Sequence, residues 1–320
     1  MADLRRMLQA DLDQVNLLLS KSFTLARTKE EGQATRIPLC RKSFIEMYRA
    51  ANPQGAFVAE KSGRIVAFCF SRLWGSVGWL GPLGVLPAEQ GKGLGKQIVA
   101  AAVESLQAGG ATTIGLELAA QSTYNLAFYS RMGFVPQQPT VDMIRRTEVG
   151  NQNVMPGDIR VLRYGALSRT QKPRFLTRIA KVAEELESGL DYRAEIQLGW
   201  KFQFGDAILF LKDETVMAFV FAHTENYSVE EERQFLKVNV LQIVPGREPD
   251  MLPIVLAGIV NWAGAEKLPR LYLRIPTRYH KAYAFALREG FKIVRNELRM
   301  TLDGFCQKDS TEHVNSSKWE

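Results

Sequence analysis

A chain of 320 residues exceeds what one hydrophobic core usually supports, so the length predicts two domains of roughly 150 residues each. Hydrophobic residues make up 46% and charged residues 23%, a globular composition, and no apolar run approaches the roughly 18 residues of a membrane-spanning helix. The formal charge of +7 comes from dispersed Lys and Arg, which argues against a nucleic-acid-binding surface.

Cysteine and histidine are sparse and scattered. The cysteines at positions 40, 69 and 306 form no CxxC pair, and the three histidines lie far apart, so we expect no disulfide framework and no metal site. The N-terminus acquires Asp11 and Asp13 before any apolar stretch, unlike a signal peptide. These features favour a cytoplasmic protein.

Hydrophobic periodicity and turn residues predict alternating helices and strands in the first half. A charged turn at Lys61–Gly63 separates two strand-like runs, and Gly133 is expected to end a helix. The predicted helices cover Asp11–Phe23, Lys42–Ala51, Leu94–Leu106 and Thr123–Met132, and the predicted strands cover Ala56–Ala59, Arg64–Phe70, Val77–Leu86 and Thr113–Ala119. Further extended segments are predicted within Phe134–Arg146.

A polar segment rich in Gly, Pro and Asn interrupts the periodic pattern at Val149–Asp158. We therefore predict a first domain over 1–148, a linker over 149–158 and a second domain over 159–305. The last residues, 306–320, are polar and non-periodic, and we expect a flexible tail there.

Four motifs occur twice in the same order, and the spacing from the second motif to the fourth differs by only one residue between the two halves. Four similar pairs in register predict that the second half is a duplicate of the first. The pairs are GAFVAEKSGRIVAFCF with GDAILFLKDETVMAFVF, LGVLP with LQIVP, LELAA with LRIPT, and FYSRMGF with FALREGF.

The segment LGVLPAEQGKGLGK, at 83–96, places a glycine-rich loop between a strand and a helix. Successive small residues let backbone N–H groups converge, and the helix N-terminus adds partial positive charge, so a pyrophosphate would bind there. A Rossmann fingerprint fails at Lys96, and a P-loop fails at Gln97. A simple helix-capping turn remains an alternative.

The pattern Gln90-x-x-Gly93-x-Gly95, following Val85-x-Pro87, resembles the acetyl-CoA-binding motif of the GNAT (general N-acetyltransferase) superfamily. Asn125-x-x-Phe-Tyr-x-x-x-Gly-Phe resembles the second motif of that family. The resemblance implies an α/β (α+β) fold with two tandem GNAT domains. Each would contain a mixed, mostly antiparallel twisted sheet flanked by helices.

The resemblance also implies a site for acetyl-CoA. Leu83, Gly84 and Val85 would lie on the strand that pairs with the pantetheine arm, with the Val85 amide as donor to the thioester carbonyl. Asn125 and Ser122 would contact the cofactor, and Tyr129 would protonate the departing thiolate. The residues implied to bind the diphosphate are Gln90, Gly91, Lys92, Gly93, Leu94, Gly95 and Lys96.

Two side chains are candidates for proton transfer. A phenol with a reference pKa of about 10 is a competent donor to a thiolate, although Tyr129 is alternatively a core aromatic residue. Glu117 lies in a Leu-Glu-Leu strand resembling one that supplies the base in relatives acting on N-terminal amines. A structural ion pair is the alternative role for Glu117.

The second copy lacks these groups. Ala286 stands at the position of Tyr129 and Arg274 at that of Glu117. The segment Gly246–Pro253 replaces the phosphate loop, with two acidic residues that would repel a diphosphate and two prolines that each remove a backbone donor. We expect this half not to turn over acetyl-CoA, and to pack against the first half and border the acceptor pocket.

The prediction is therefore an acetyl-CoA-dependent N-acetyltransferase that acts on a primary amine of a small molecule or peptide. No Cys or Ser stands in the motifs as a nucleophile, so the acetyl group should pass directly within a ternary complex. A non-catalytic acetyl-CoA sensor or interaction module is the alternative, and a longer acyl-CoA would bind the same loop. Residues 24–53 would border the acceptor cleft in this fold, but their mixed charges do not identify the acceptor, and the oligomeric state stays open.

Overall fold

A computed structural model describes residues 2–147, 153–306 and 313–317 of the chain. The first half runs β1 (Asp3–Arg6), α1 (Leu12–Glu31), α2 (Lys42–Ala51), β2 (Phe57–Lys61), β3 (Arg64–Trp74), β4 (Val77–Val85), α3 (Leu94–Ala108), β5 (Thr113–Ala119), α4 (Thr123–Ser130) and β6 (Phe134–Arg146).

The second half repeats this order. It runs β7 (Ile159–Arg163), α5 (Lys172–Leu186), α6 (Arg193–Lys201), β8 (Gly205–Lys212), β9 (Thr215–His223), β10 (Phe235–Ile243), α7 (Glu248–Ala265), β11 (Arg270–Pro276), α8 (His280–Arg288) and β12 (Lys292–Leu302), followed by β13 (Asn315–Ser317). The two tandem α/β units inferred from the repeated motifs are thus present.

All the strands join one mixed, mostly antiparallel sheet in the order β1-β2-β3-β4-β5-β12-β6-β11-β10-β9-β8-β7, with β13 paired to β10. The last strand of each half inserts into the other half. Strand β12 lies between β5 and β6, and β6 lies between β12 and β11. The boundaries at 148 and 159 stay a prediction, and the sheet continues across them.

Helices bury apolar faces on both sides of this sheet. Helix α2 directs Phe44, Ile45, Met47 and Tyr48 inward, and this amphipathic pattern is why the segment folds as a helix. On the opposite face, α3 packs against β3 and β4. A further core joins the halves, because Trp74 and Trp79 pack in one cluster with residues of α5 and β9.

The flexible tail predicted for 306–320 is wrong at residues 313–317. These residues form and flank β13, which pairs antiparallel with β10, and Val314 through Ser317 are buried. Unsatisfied backbone groups on β10 provide the pairing that the polar sequence did not reveal. The other residues after 306, and 149–152 of the predicted linker, lie outside the described residues. Within the described part, no helix is long and apolar enough to span a membrane.

Candidate active site

A wedge-shaped cleft opens in the sheet of the first half. Strands β4 and β5 pair in parallel only where Val77–Trp79 lies beside Thr113–Gly115. Beyond Trp79 the two strands have no pairing, and the register of β3 against β4 shifts between Cys69 and Ser71. The remainder of β4 therefore pairs with β3 on one edge and presents its other edge to the cleft.

The backbone hydrogen bonds show which groups face the cleft. The Leu86 N–H donates to the Val66 carbonyl at 2.8 Å, so the next pair, Ala67 with Val85, is a pair without mutual hydrogen bonds. By alternation, the N–H groups of Leu83 and Val85 point away from β3. The Val85 carbonyl agrees with this direction, since it accepts a hydrogen bond from Gln90 Nε2 at 3.2 Å.

The backbone groups of Gly84 point in the opposite direction from those of Leu83 and Val85. Its backbone groups face β3, where it is paired with Phe68. A Cβ on Gly84 would lie 2.5 Å from the Phe68 ring and 3.1 Å from Ser22 Oγ. The structure therefore gives this glycine a packing role, whereas the sequence assigned it to the cofactor.

The glycine-rich loop follows β4 and leads into α3. Gly91 and Gly93 have φ values of 76° and 84°, in the left-handed region that favours glycine, and no atom lies within 4 Å of where a Cβ would stand. Helix α3 begins at Leu94, and the first N–H groups of a helix have no acceptor within the helix. No acidic residue lies in its first turn.

Lysines and one carboxylate surround this loop. Lys92 Nζ lies 2.8 Å from the Ala88 carbonyl and 3.1 Å from Glu89, whose carboxylate also contacts Lys61 at 2.9 Å. Hydrogen bonds from Lys61 and then Lys92 lower the pKa of Glu89. The side chain of Lys96 is exposed in the first turn of α3. The open backbone, the helix N-terminus and these lysines fit a diphosphate.

Helix α4 lies against the same core. Phe128 lies 3.3 Å from where a Cβ on Gly95 would stand, so Gly95 is what lets α4 approach α3. Asn125 and Tyr129 lie on α4 at helical spacing from Ser122, which directly precedes the helix. Ser122 is buried, whereas Asn125 is half-buried. The sequence motifs thus converge around one cleft.

Tyr129 packs against aromatic rings and has a polar end without a partner. Its ring lies 4.9 Å from that of Phe128 and 5.7 Å from that of Phe134. Its hydroxyl makes no hydrogen bond to any residue that the structure describes. Burial, and secondarily the Cys69 thiol, raise the pKa of Tyr129 above its usual value. The phenol therefore remains protonated at neutral pH.

Glu117 is held in ion pairs. Its side chain is 2% exposed; Oε2 lies 2.5 Å from Arg274 Nη1, and Oε1 lies 2.8 Å from Arg299 Nη2. Both arginines come from the second half. Burial acts to lower the pKa of Arg274, but Glu117 and Asp142 outweigh it and raise that pKa well above its usual value. These contacts favour the structural ion pair over the predicted base.

The second half also lies beside α1 and α2. The Arg41 N–H donates to the Tyr227 carbonyl at 2.6 Å, the Phe44 and Tyr227 rings stack at 4.4 Å, and Arg36 pairs with Glu230 at 2.6 Å. The segment joining α1 to α2, expected to border the acceptor, is therefore covered in part by the loop that follows β9. Sequence reasoning missed these residues because nothing local in the loop marks them.

Comparison with known proteins agrees with this geometry. Residues 17–134 match the acetyltransferase (GNAT) family. The first half of this chain therefore contains a GNAT-type acetyltransferase segment. A GCN5-related N-acetyltransferase from Sphaerobacter thermophilus has a similar fold, with a TM-score of 0.60 at 12% identity over 97% of this chain and 98% of that one. A tandem GNAT protein from the clavulanic acid biosynthesis pathway gives a TM-score of 0.62 at 12% identity, over 94% and 98%.

The similar curated sequences are named mycothiol acetyltransferases. One from Streptomyces griseus is 36% identical over 99 residues, which cover 30% of this chain and 32% of that protein. One from Streptomyces avermitilis is 32% identical over 138 residues, covering 42% and 43%. The chain thus matches less than half the length of these relatives.

Proposed function

We propose that this chain is an acetyl-CoA-dependent N-acetyltransferase that moves the acetyl group to a primary amine by direct transfer in a ternary complex. The observation that carries the proposal is the cleft edge of β4. Leu83 and Val85 turn their N–H groups into a cleft that ends at the Gly91–Lys96 loop and the start of α3. An extended, amide-containing arm attached to a diphosphate matches that arrangement.

In this proposal, different residues of the chain bind the cofactor and stabilise charge on the thioester. The Leu83 backbone pairs with the pantetheine arm, and the Val85 N–H stabilises negative charge on the thioester oxygen. Loop amides and Lys96 hold the diphosphate. Asn125 on α4 and Ser122, directly before that helix, contact the arm.

Tyr129 supplies the proton for the leaving thiolate. Burial keeps its pKa above the usual value, so the hydroxyl stays protonated at the pH at which the enzyme works. Because the hydroxyl has no other hydrogen-bond partner among the described residues, it is available to the sulfur.

The acceptor amine must lose its own proton before attack. Glu117 is engaged by two guanidinium groups and buried at 2% exposure, so we assign proton removal to solvent at the mouth of the cleft. We expect the rate at subsaturating acceptor to rise with pH up to the pKa of the amine itself. The occupied Glu117 also favours the sensor alternative, which the experiment below separates from the enzyme.

We propose a small-molecule or peptide amine as acceptor, because relatives named mycothiol acetyltransferases match part of this chain. The acceptor would enter between the α1–α2 segment and the loop around Tyr227. A cytoplasmic setting would supply both amines and acetyl-CoA.

The test is coenzyme A release from acetyl-CoA across a panel of amines and peptides. Tyr129→Phe should lower kcat by about 100-fold or more, with acetyl-CoA affinity changed less than about threefold. Tyr124→Phe is the matched control, because Tyr124 is on the same helix and 68% exposed, and it should leave both values unchanged. Tight cofactor binding without release for any amine would support the sensor, and an unaltered kcat in Tyr129→Phe would contradict the acid role.

A further inference from the structure

The second half keeps a cleft of the same construction. Strand β10 pairs with β11 only where Phe235–Val238 lies beside Arg270–Leu273, and the two strands then diverge as β4 and β5 do. Here the gap is filled. Strand β13 pairs antiparallel with Val240–Gln242 of β10, and Ser316 Oγ donates to the Arg274 carbonyl of β11.

The backbone groups of β10 have the same directions as those of β4. The Val244 N–H donates to the Met217 carbonyl of the neighbouring β9 segment at 2.9 Å, as the Leu86 N–H does to Val66 in the first half. Ile243, which the repeat aligns with Val85, therefore points its N–H into the cleft. That N–H donates to the Val314 carbonyl at 3.2 Å.

The walls of this cleft are apolar. The positions of Ser122, Asn125 and Tyr129 are taken by Tyr279, Ala282 and Ala286, which are all buried. Side chains of α7, α8, β10 and β11, together with Val314 and Ser316, enclose a cavity of only about 30 Å³. Among the described residues, this volume is too small for a pantetheine arm.

The diphosphate end is closed by the same segment. Helix α7 begins at Glu248, so the sequence-based loop over Gly246–Pro253 is wrong beyond Arg247 and is helical from there. Glu248 lies in the first turn, where its charge would oppose an anion, and its Oε1 is 3.1 Å from His313 Nδ1. His313 directly precedes the residue whose carbonyl takes the Ile243 N–H.

Polar contacts fix β13 in place. Asn315 Oδ1 accepts a hydrogen bond from Gln242 Nε2 at 2.7 Å, and both residues are buried. The Ser317 carbonyl accepts from Arg299 Nη2 at 3.2 Å, the same guanidinium that holds Glu117. The segment is therefore linked to the junction between the two halves.

We propose that residues 313–317 are an internal ligand that takes the place of the pantetheine arm in the second cleft, with the Val314 carbonyl where a thioester carbonyl would lie. This inference rests on the proposed function, because it reads the second cleft by analogy with a coenzyme A site in the first. The cleft of the second half is thereby permanently occupied by residues 313–317. The whole chain binds one coenzyme A.

Amide hydrogen exchange on the full chain tests this directly. Without coenzyme A, the amides of Leu241 and Ile243 should exchange at least about tenfold more slowly than those of Leu83 and Val85. Adding coenzyme A should slow exchange at Leu83 and Val85 and leave Leu241 and Ile243 unchanged. Equal exchange in the two clefts before addition, or coenzyme-dependent slowing at Ile243, would overturn the proposal.

A failure of the proposed function would look different. If coenzyme A slowed neither Leu83 nor Val85, the first cleft would not be its site, and the analogy would be rejected together with that function. Docking of β13 would still be decided by the exchange at Leu241 and Ile243 in the free protein.

A variant pair isolates the contribution of β13. Alternation from the Val314–Ile243 bond directs the Ser316 N–H toward Leu241, so Ser316→Pro removes that donor whereas Ser316→Ala keeps it. Ser316→Pro should accelerate exchange at Leu241 and Ile243 by about tenfold or more, and Ser316→Ala by less than about threefold. Equal effects of the two substitutions would contradict a backbone-paired ligand. The wild-type comparison decides the proposal if the proline variant fails to fold.

Discussion

At the scale of single residues, Gly93 and Gly110 bracket α3 with nearly the same backbone, φ being 84° and 88°. Neither has an atom within 4 Å of where a Cβ would stand, so alanine at either position should cost about 1 kcal/mol of stability through backbone strain alone. Only at Gly93 would that methyl group meet the diphosphate. We expect Gly93→Ala to weaken coenzyme A binding by about tenfold or more, and Gly110→Ala to leave it unchanged, in calorimetric titrations. Equal losses of coenzyme A affinity in the two variants would indicate that the loss comes from reduced protein stability and not from contact with the diphosphate.

Glu117 tests the difference between a structural and a catalytic carboxylate. Glu117→Gln leaves two buried guanidinium groups short of a counter-charge, so unfolding in urea should show a loss of about 3 kcal/mol. The rate per folded molecule should change less than about threefold, because the proposed mechanism passes no proton through this group. Glu104→Gln, on the exposed face of α3, is the control and should alter neither quantity. A hundredfold slower reaction at full stability would instead restore the role of base.

At the scale of elements, Asp11 ties the edge strand β1 to the start of α1. Its carboxylate accepts hydrogen bonds from the Arg5 guanidinium at 2.7 and 2.8 Å and from the Leu8 N–H at 2.7 Å. The hydrogen bond from Arg5 lowers the pKa of Asp11, although burial opposes it. Since the folded pKa lies below the unfolded one, this stabilisation is present at neutral pH and is lost as pH falls through the folded pKa.

Asp11→Asn should therefore lower the free energy of unfolding by about 2 kcal/mol at pH 7. The difference in free energy of unfolding between this variant and the wild type should narrow as the pH falls below about 4. Urea unfolding at pH 7, 5 and 3 measures this difference. A gap that stays constant over this range would contradict the assignment to Asp11 ionisation.

Local pattern predicted most elements of the first half but not how they pair. Helix α2 and strand β5 have the predicted bounds, and the single strand β6 spans Phe134–Arg146, where the sequence predicted further extended segments. Helix α1 continues to Glu31, whereas the prediction ended at Phe23. The later turns are only half-buried and show no apolar period, so the sequence pattern did not reveal them. The exchange of β6 and β12 depends on contacts between distant segments, which no local window contains.

The site could be predicted from local motifs but not where it depends on contacts between distant residues. The spacing of the motifs was enough to predict that the glycine-rich loop and α4 lie at one cleft. The prediction of Glu117 as a base took no account of Arg274 and Arg299, because these partners are 157 and 182 positions away along the chain. The β13 segment, Asn-Ser-Ser, has no strand propensity, so its pairing follows from the free edge of β10 and not from its own sequence.

At the scale of the whole molecule, charged residues at repeat-related positions meet where the two halves join. The two residues of each repeat-related pair carry opposite charges. The repeat aligns Glu117 with Arg274 and Asp142 with Arg299. In the sheet Glu117 lies opposite Arg299, and Arg274 lies opposite Asp142. Two first halves arranged in this way would oppose two acids, and two second halves would oppose two arginines, in a buried setting where like charges are strongly unfavourable.

This charge pattern predicts which assemblies the separated halves can form. Expressed together as 2–148 and 153–320, the halves should associate one to one, because β6 and β12 each complete the sheet of the other half. Expressed alone, neither should form the equivalent homodimer. Native mass spectrometry measures the stoichiometry, and coenzyme A release should return only on mixing. A stable homodimer of the first half at neutral pH would contradict the argument, since it would require Glu117 to lie opposite Asp142 without a counter-charge.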